Sequence, residues 1–226
     1  MNELAPLVWL IVFVISVTAH EAAHALVAYL GGDSTAYLGG QVSLNPVPHI
    51  RREPFGMLLL PIIGVITNGF PIGWASTPFD PRWEERYPRR AAWMSAAGPA
   101  ANLALALAAL AFLHVGLAAG FFVPADTLRP ARFVAGHVAW IDGMGRFTSM
   151  MLFLNTILCL FNLIPFPPLD GASALTLFLP QEAGLRVRQA LRQPAFALVG
   201  LLVVWFGFGR LVPPIFELLC RAVLAG

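Results

Sequence analysis

Long apolar runs broken at intervals by short polar or proline-rich stretches set the pattern of this chain. A helix needs about 20 mostly apolar residues to cross a bilayer core, and Leu7 to Leu30 is the first run to supply them, ending at Gly31 and Gly32. Ala36 to Ile50 sets Gly39, Gly40, Asn45, Pro46 and Pro48 among β-formers such as Val42 and Leu44, which predicts a short hairpin or an irregular loop. Phe55 to Ala75 is apolar again but carries Pro61, Gly64, Asn68, Gly69 and Pro71, so it either spans or re-enters. Ser76 to Arg90, with four Arg and three acids, reads as an aqueous loop, and Ala91 to Ala119 is long enough to span with some tilt.

Gly120 to Gly145 mixes Pro124, Pro130 and charges with apolar residues, as a surface loop or interfacial segment does. Phe147 to Phe166 reads as a further span and runs into Pro165-Phe166-Pro167-Pro168, where prolines lack the N–H and clash with preceding carbonyls, so helix must unwind just before Asp170. Gln181 to Gln193 carries Arg186, Arg188 and Arg192, and Ala195 to Leu224 forms one span or a hairpin bent around Pro213 and Pro214. The expected fold is an all-α polytopic membrane helix bundle. It has about five or six transmembrane helices and a small β-hairpin or re-entrant element. Residues 1–226 are read as one membrane-embedded domain, with a core at 7–180 and C-terminal helices at 181–226; neither a cleaved leader nor an appended soluble domain is expected.

Composition sharpens this picture only in part. With 58% of residues apolar and 12% charged, water is not the main solvent of this chain. All 14 basic residues are Arg, and against 12 acids they leave a net charge of +2, too small to suggest a nucleic-acid partner. Orientation does not follow from them. In a five-span scheme seven Arg (82, 86, 89, 90, 186, 188, 192) face six (51, 52, 129, 132, 146, 221), and a near tie says nothing about which side is which. Cys159 and Cys220 lie in apolar runs with no CxxC spacing, so neither a disulfide framework nor a thiolate cluster is expected.

The chemistry lies in His20-Glu21-Ala22-Ala23-His24, in the last third of the first apolar run. Two His at i and i+4 project from one helix face and can reach one zinc ion, while the neighbouring Glu serves as acid and base toward a water. Ionisable groups cost about 2.5–3.5 kcal/mol each at the centre of a membrane helix on insertion scales, and a metal is the partner that offsets this. A catalytic zinc takes three protein ligands and a water. A third His six residues after His24 is excluded, because Leu30 stands there; Asp170 is the one acid between Phe147 and Pro180 and becomes the expected third ligand. Asp142 has no second acid of the kind an aspartyl centre needs, and His49, His114 and His137 are expected to be structural.

HEAAH followed by Asn162-Leu163-Ile164-Pro165-Phe166-Pro167-Pro168-Leu169-Asp170-Gly171 resembles the site-2 proteases, intramembrane zinc metallopeptidases that pair HExxH with an N-x-x-P-x-x-x-L-D-G element. The stretches Gly40 to His49 and Gly98-Pro99-Ala100-Ala101-Asn102 are similar to the compact bacterial and archaeal branch that lacks a PDZ domain. The resemblance covers most of residues 14 to 171. It implies one zinc ion held by His20, His24 and Asp170, with Glu21 as the acid/base and Asn162 holding the substrate or its oxyanion. It also implies that the Gly39 to His49 segment lies near the active site, where it pairs with an unwound substrate strand. Gly98 to Asn102 is read as a helix-packing motif, with Asn102 outside the catalytic set.

The reading that follows is a zinc metalloendopeptidase in a prokaryotic cell membrane. It cuts within or near the transmembrane segments of other membrane proteins, touches lipid and substrate, and leaves any homo-oligomer or accessory regulator open. The rival is a metal-ion carrier using the same His, Glu and Asp groups, which predicts paired sites on inverted repeats; no repeat is visible.

Overall fold

The computed structural model describes residues 4–191 and 193–225. Arg192, counted above, and the extreme ends of the proposed domain lie outside them. The element order is α1 (Ala5–Leu30), α2 (Thr35–Leu38), α3 (Pro46–Arg52), a π-helical turn (Phe55–Leu59) running into α4 (Leu60–Asn68), α5 (Pro81–Arg86) and α6 (Pro88–Ala118). The strands β1 (Phe122–Arg129) and β2 (Arg132–Gly136) follow, then α7 (Ala139–Asn162), α8 (Gly171–Ala174), a 3₁₀ turn (Leu175–Phe178), α9 (Gln181–Leu191) and α10 (Pro194–Leu224). The protein is an all-α helix bundle with one two-stranded sheet among the described residues.

Four described helices are long and apolar enough to cross a membrane: Ala5–Leu30, Pro88–Ala118, Ala139–Asn162 and Ala195–Leu224. Phe55–Asn68 is a shorter apolar fifth. The centre of the bundle is α6, packed against both α1 and α7, with Phe13, Leu113, Met150, Leu152 and Leu154 in the interior. α7 begins eight residues before the predicted Phe147 and stops at Asn162, because three prolines within the next six residues cannot continue its hydrogen-bond ladder. α10 is one continuous helix through Pro213 and Pro214, not a hairpin, and it exposes Leu198, Trp205 and Phe206 as a lipid-facing helix does. His114 ties it to α6 through the Ala222 carbonyl at 2.8 Å.

The stretch from Phe55 to Ala75 returns to where it began. Helix runs to Asn68, Gly69 turns in the left-handed region at φ 71°, and the chain comes back extended beside the helix it has just left. Two glycines make that close approach possible: a Cβ on Gly56 would strike the Trp74 carbonyl, and one on Gly64 would meet Phe70 and Ile72 backbone at 2.9 Å. Lengths agree, since 14 helical residues rise about 21 Å and seven extended ones cover about 23 Å. The two ends are joined: Arg52 Nε donates to the Ser76 carbonyl (3.1 Å), Ser76 Oγ to Glu53 Oε1 (2.5 Å) and Trp74 N to the Gly56 carbonyl (3.2 Å). Of the two predicted alternatives the segment takes the re-entrant one.

Ala36 to Ile50 contains no strand; bends at Gly40 to Asn45 join α2 to α3. Asn45 accepts from Val47 N at 3.0 Å and Pro46 occupies the first helical position, a helix start that outweighs the β-formers before it. His49, nearly fully buried, closes the bend on the Ser43 carbonyl at 3.0 Å, a structural role. The hairpin occurs instead at β1–β2, antiparallel with Phe122 opposite Gly136 and Arg129 opposite Arg132, inside the stretch predicted as a surface or interfacial loop. It packs on the first half of α7, where Phe133 N bonds Ser149 Oγ and Asp142 pairs with Arg132 and Arg146. The aqueous loop at 76–90 holds α5, and Glu84 on it pairs with Arg188 of α9 at 3.0 Å.

Candidate metal centre

The HEAAH helix buries His20, Glu21 and His24 on its inner side, each less than a tenth exposed. Their Nε2 atoms stand 2.9 Å apart, one turn of helix bringing both rings to one point. Asp170 enters from the unwound segment after α7, its Oδ2 3.0 Å from His20 Nε2 and 3.3 Å from His24 Nε2. Its side chain makes no cap bond to α8, so the carboxylate is directed at the imidazoles and not at a helix end. Gly171 is needed there for space, since a Cβ would run into the Leu163 and Ile164 carbonyls, and not for a left-handed φ.

The donor set tests whether a metal fits. His24 Nδ1 lies 2.7 Å from the Met94 carbonyl, an acceptor only, so that nitrogen carries the proton and Nε2 presents a lone pair. His20 Nδ1 lies 2.5 Å from Asn102 Oδ1, giving the same tautomer. Three electron-rich atoms therefore converge, and Asp170 Oδ2 is buried with no hydrogen bond. A cation removes the repulsion among them. Tetrahedral zinc with bonds of about 2.0–2.1 Å sets its ligands roughly 3.3 Å apart, the present separation of His24 from Asp170 and a few tenths beyond the other two. Gly98 faces both rings so closely that a Cβ would collide with the two Nε2 atoms, so room for a coordination shell depends on its lack of a side chain. The residues fit zinc.

Two residues at the site were not assigned to it from the sequence. Asn102 was read as packing, yet it is fully buried against His20; the signal was its i, i+4 relation to Gly98, which matches that of His20 to His24 on the facing helix. Thr77, just past the extended return, donates from Oγ1 to Glu21 Oε2 (2.7 Å) and lies 3.0 Å from the Glu21 carbonyl. No sequence signal marked it. Asn162 lies at the C-terminal end of α7, where its Nδ2 bonds the Leu158 carbonyl of its own helix at 3.0 Å. The element beside Glu21 is the re-entrant one, and β1–β2 lies at the other end of α7.

A helical bundle of membrane-spanning character with an HExxH face completed by a distant Asp defines a membrane-embedded metallopeptidase class. The model of Peptidase family M50 matches residues 8–206, and this chain belongs to that family. "Putative zinc metalloprotease YwhC" of Bacillus subtilis strain 168 is 35% identical over 181 residues, which are 80% of this chain and 73% of that protein. "Putative zinc metalloprotease Rip2" of Mycolicibacterium smegmatis and of Mycobacterium tuberculosis H37Rv are 29% and 30% identical over 85% of this chain, which spans 64% of their lengths. No solved structure matches. The protein is a zinc metalloprotease of the site-2 protease family and a membrane protein.

Proposed function

We propose that the chain hydrolyses peptide bonds within or near the transmembrane segments of other membrane proteins, in the cell membrane of a prokaryote. The convergence of His20, His24 and Asp170 on one point inside an apolar bundle carries this reading. An open apolar groove of about 610 Å³ supports it further. Ala22 and Ala23 of the HEAAH turn line it, together with Ala101 and Ala104 of α6 and Val42. A substrate helix laid in such a groove finds small apolar residues beside the metal ligands, and it must unwind locally before a carbonyl reaches them.

Zinc, when bound, polarises a water and the substrate carbonyl. Glu21 takes the water proton on its free oxygen, while Thr77 holds Oε2, and then delivers it to the leaving amide nitrogen. Asn162 is proposed to turn its amide from the Leu158 carbonyl toward the substrate carbonyl when the groove is filled. The whole of 1–226 acts in this proposal as one membrane-embedded peptidase unit, with 7–180 carrying the site.

Glu21→Gln in the purified protein, reconstituted with a single-span substrate, tests the assignment. Zinc content is expected to stay near one per chain while cleavage falls by at least ~10²-fold, the usual contribution of a placed acid/base. Cleavage at wild-type rate would remove Glu21 from the mechanism, and zinc flux without cleavage in the wild type would favour a carrier.

A further inference from the structure

Ser16 of α1, Asn102 of α6 and Asn155 of α7 are all completely buried, one on each of the three central helices. Their bonds form a chain with a single direction. Asn155 Nδ2 donates to the Met151 carbonyl and to Ser16 Oγ, both at 2.9 Å, which turns Asn155 Oδ1 toward Asn102. Asn102 Nδ2 donates to that oxygen at 2.8 Å and lies 3.4 Å from the Ser16 carbonyl, which turns Asn102 Oδ1 toward His20 Nδ1.

Only one arrangement satisfies every group. Flipping Asn102 sets its carbonyl against the Asn155 carbonyl; flipping Asn155 as well sets that carbonyl against Met151 O, a backbone acceptor that cannot change role. A buried amide left facing a like partner loses its hydrogen bond with no water to replace it. The polarity of the chain is therefore set by main-chain carbonyls and delivered to the imidazole. His24 has no comparable dependence, because its Nδ1 partner is main chain already.

We propose that Asn102, oriented by Asn155, is the positioning residue that holds His20 in the Nδ1–H tautomer, so that Nε2 offers its lone pair to the metal. The inference rests on the zinc-centre reading for its consequence but not for its geometry. The packing of α7 against α6 is thereby read out at a ligand contributed by α1.

The test combines ¹⁵N-histidine NMR of the metal-free protein in detergent, with the His20 signals assigned by their loss in His20→Gln, and zinc affinity measured by chelator competition. In the wild type His20 is expected as the Nδ1–H tautomer. Asn102→Leu is expected to mix the tautomers and lower zinc affinity ~10- to 100-fold, the usual cost of losing such a partner. Asn102→Asp keeps an oxygen toward Nδ1 and, protonated, an O–H toward Asn155, and should retain most of the affinity. A wild-type His20 in the Nε2–H form overturns the proposal, as does equal loss of affinity in the Leu and Asp variants, which would mean packing alone. Unchanged affinity in Asn102→Leu overturns it too. A wild-type chain with the Nδ1–H tautomer that takes up no zinc supports the positioning role and sinks the zinc assignment instead.

Discussion

The Thr77 hydroxyl makes its bond to Glu21 from a segment with no regular structure, so the orientation of the carboxylate depends on how the extended return is seated. Thr77→Val keeps the shape and deletes the donor. One such bond is worth about 1 kcal/mol net, so cleavage is expected to drop ~5-fold with zinc content unchanged, and Thr77→Ser should recover it. Gly98→Ala acts on the metal instead. Its Cβ needs the space of both Nε2 atoms, and overpacking of about 1–3 kcal/mol predicts a ~5- to 150-fold loss of zinc affinity, read by metal analysis after dialysis against a weak chelator. His20, His24 and Asp170 were legible beforehand because i, i+4 spacing fixes two rings and the third ligand had one candidate. Asn102 and Thr77 were not, since each acts across a contact between elements distant in sequence, and nothing local says which helix face will meet which.

At the level of elements, the breakers in Phe55 to Ala75 announced an interruption but not its direction. Direction came from pairs of residues, Gly56 with Trp74 and Gly64 with Ile72, that only a folded chain brings side by side. The same limit left Ala36 to Ile50 open between a hairpin and an irregular loop, and hid the short helices α2 and α3 there. Val42 and Leu44 carry β propensity, whereas the Asn45–Pro46 helix start and the His49 bond to Ser43 decide the backbone there. The returning segment is open to a direct check. Glu53→Cys paired with Ser76→Cys, with Cys159 and Cys220 replaced by Ala, should cross-link rapidly under mild oxidant, as their native side chains are hydrogen-bonded. Absence of the cross-link would mean that the segment crosses and does not come back.

For the molecule as a whole, the centre ties the first helix to a loop some 146 residues later, so ligand binding adds directly to the stability of the bundle. At a free zinc concentration 100 times the dissociation constant the gain is about 2.7 kcal/mol, and chelation should lower the thermal midpoint in detergent while Asp170→Ala abolishes the difference. The all-α bundle and its long helices were readable from run length alone, because hydrophobic thickness sets a simple threshold. Which loops share an end was not.

That last question is answered by the junction of Arg52 with Ser76. Since the chain arrives and departs at the same level, Arg51 and Arg52 move to the end that also carries Arg82, Arg86, Arg89 and Arg90, and the Glu84–Arg188 pair brings Arg186 and Arg188 there as well. Opposite them, among the described residues and with Arg210 inside α10 assigned to neither end, stand Arg129, Arg132, Arg146 and Arg221. With Arg192 left aside the former six against six becomes eight against four, and the bias that governs insertion then predicts that the zinc end faces the cytoplasm. A cysteine at exposed Leu38 should accordingly resist an impermeant maleimide in intact cells, and one at exposed Thr127 should react at once. Through one hairpin of backbone that fails to cross, the chain acquires a compass.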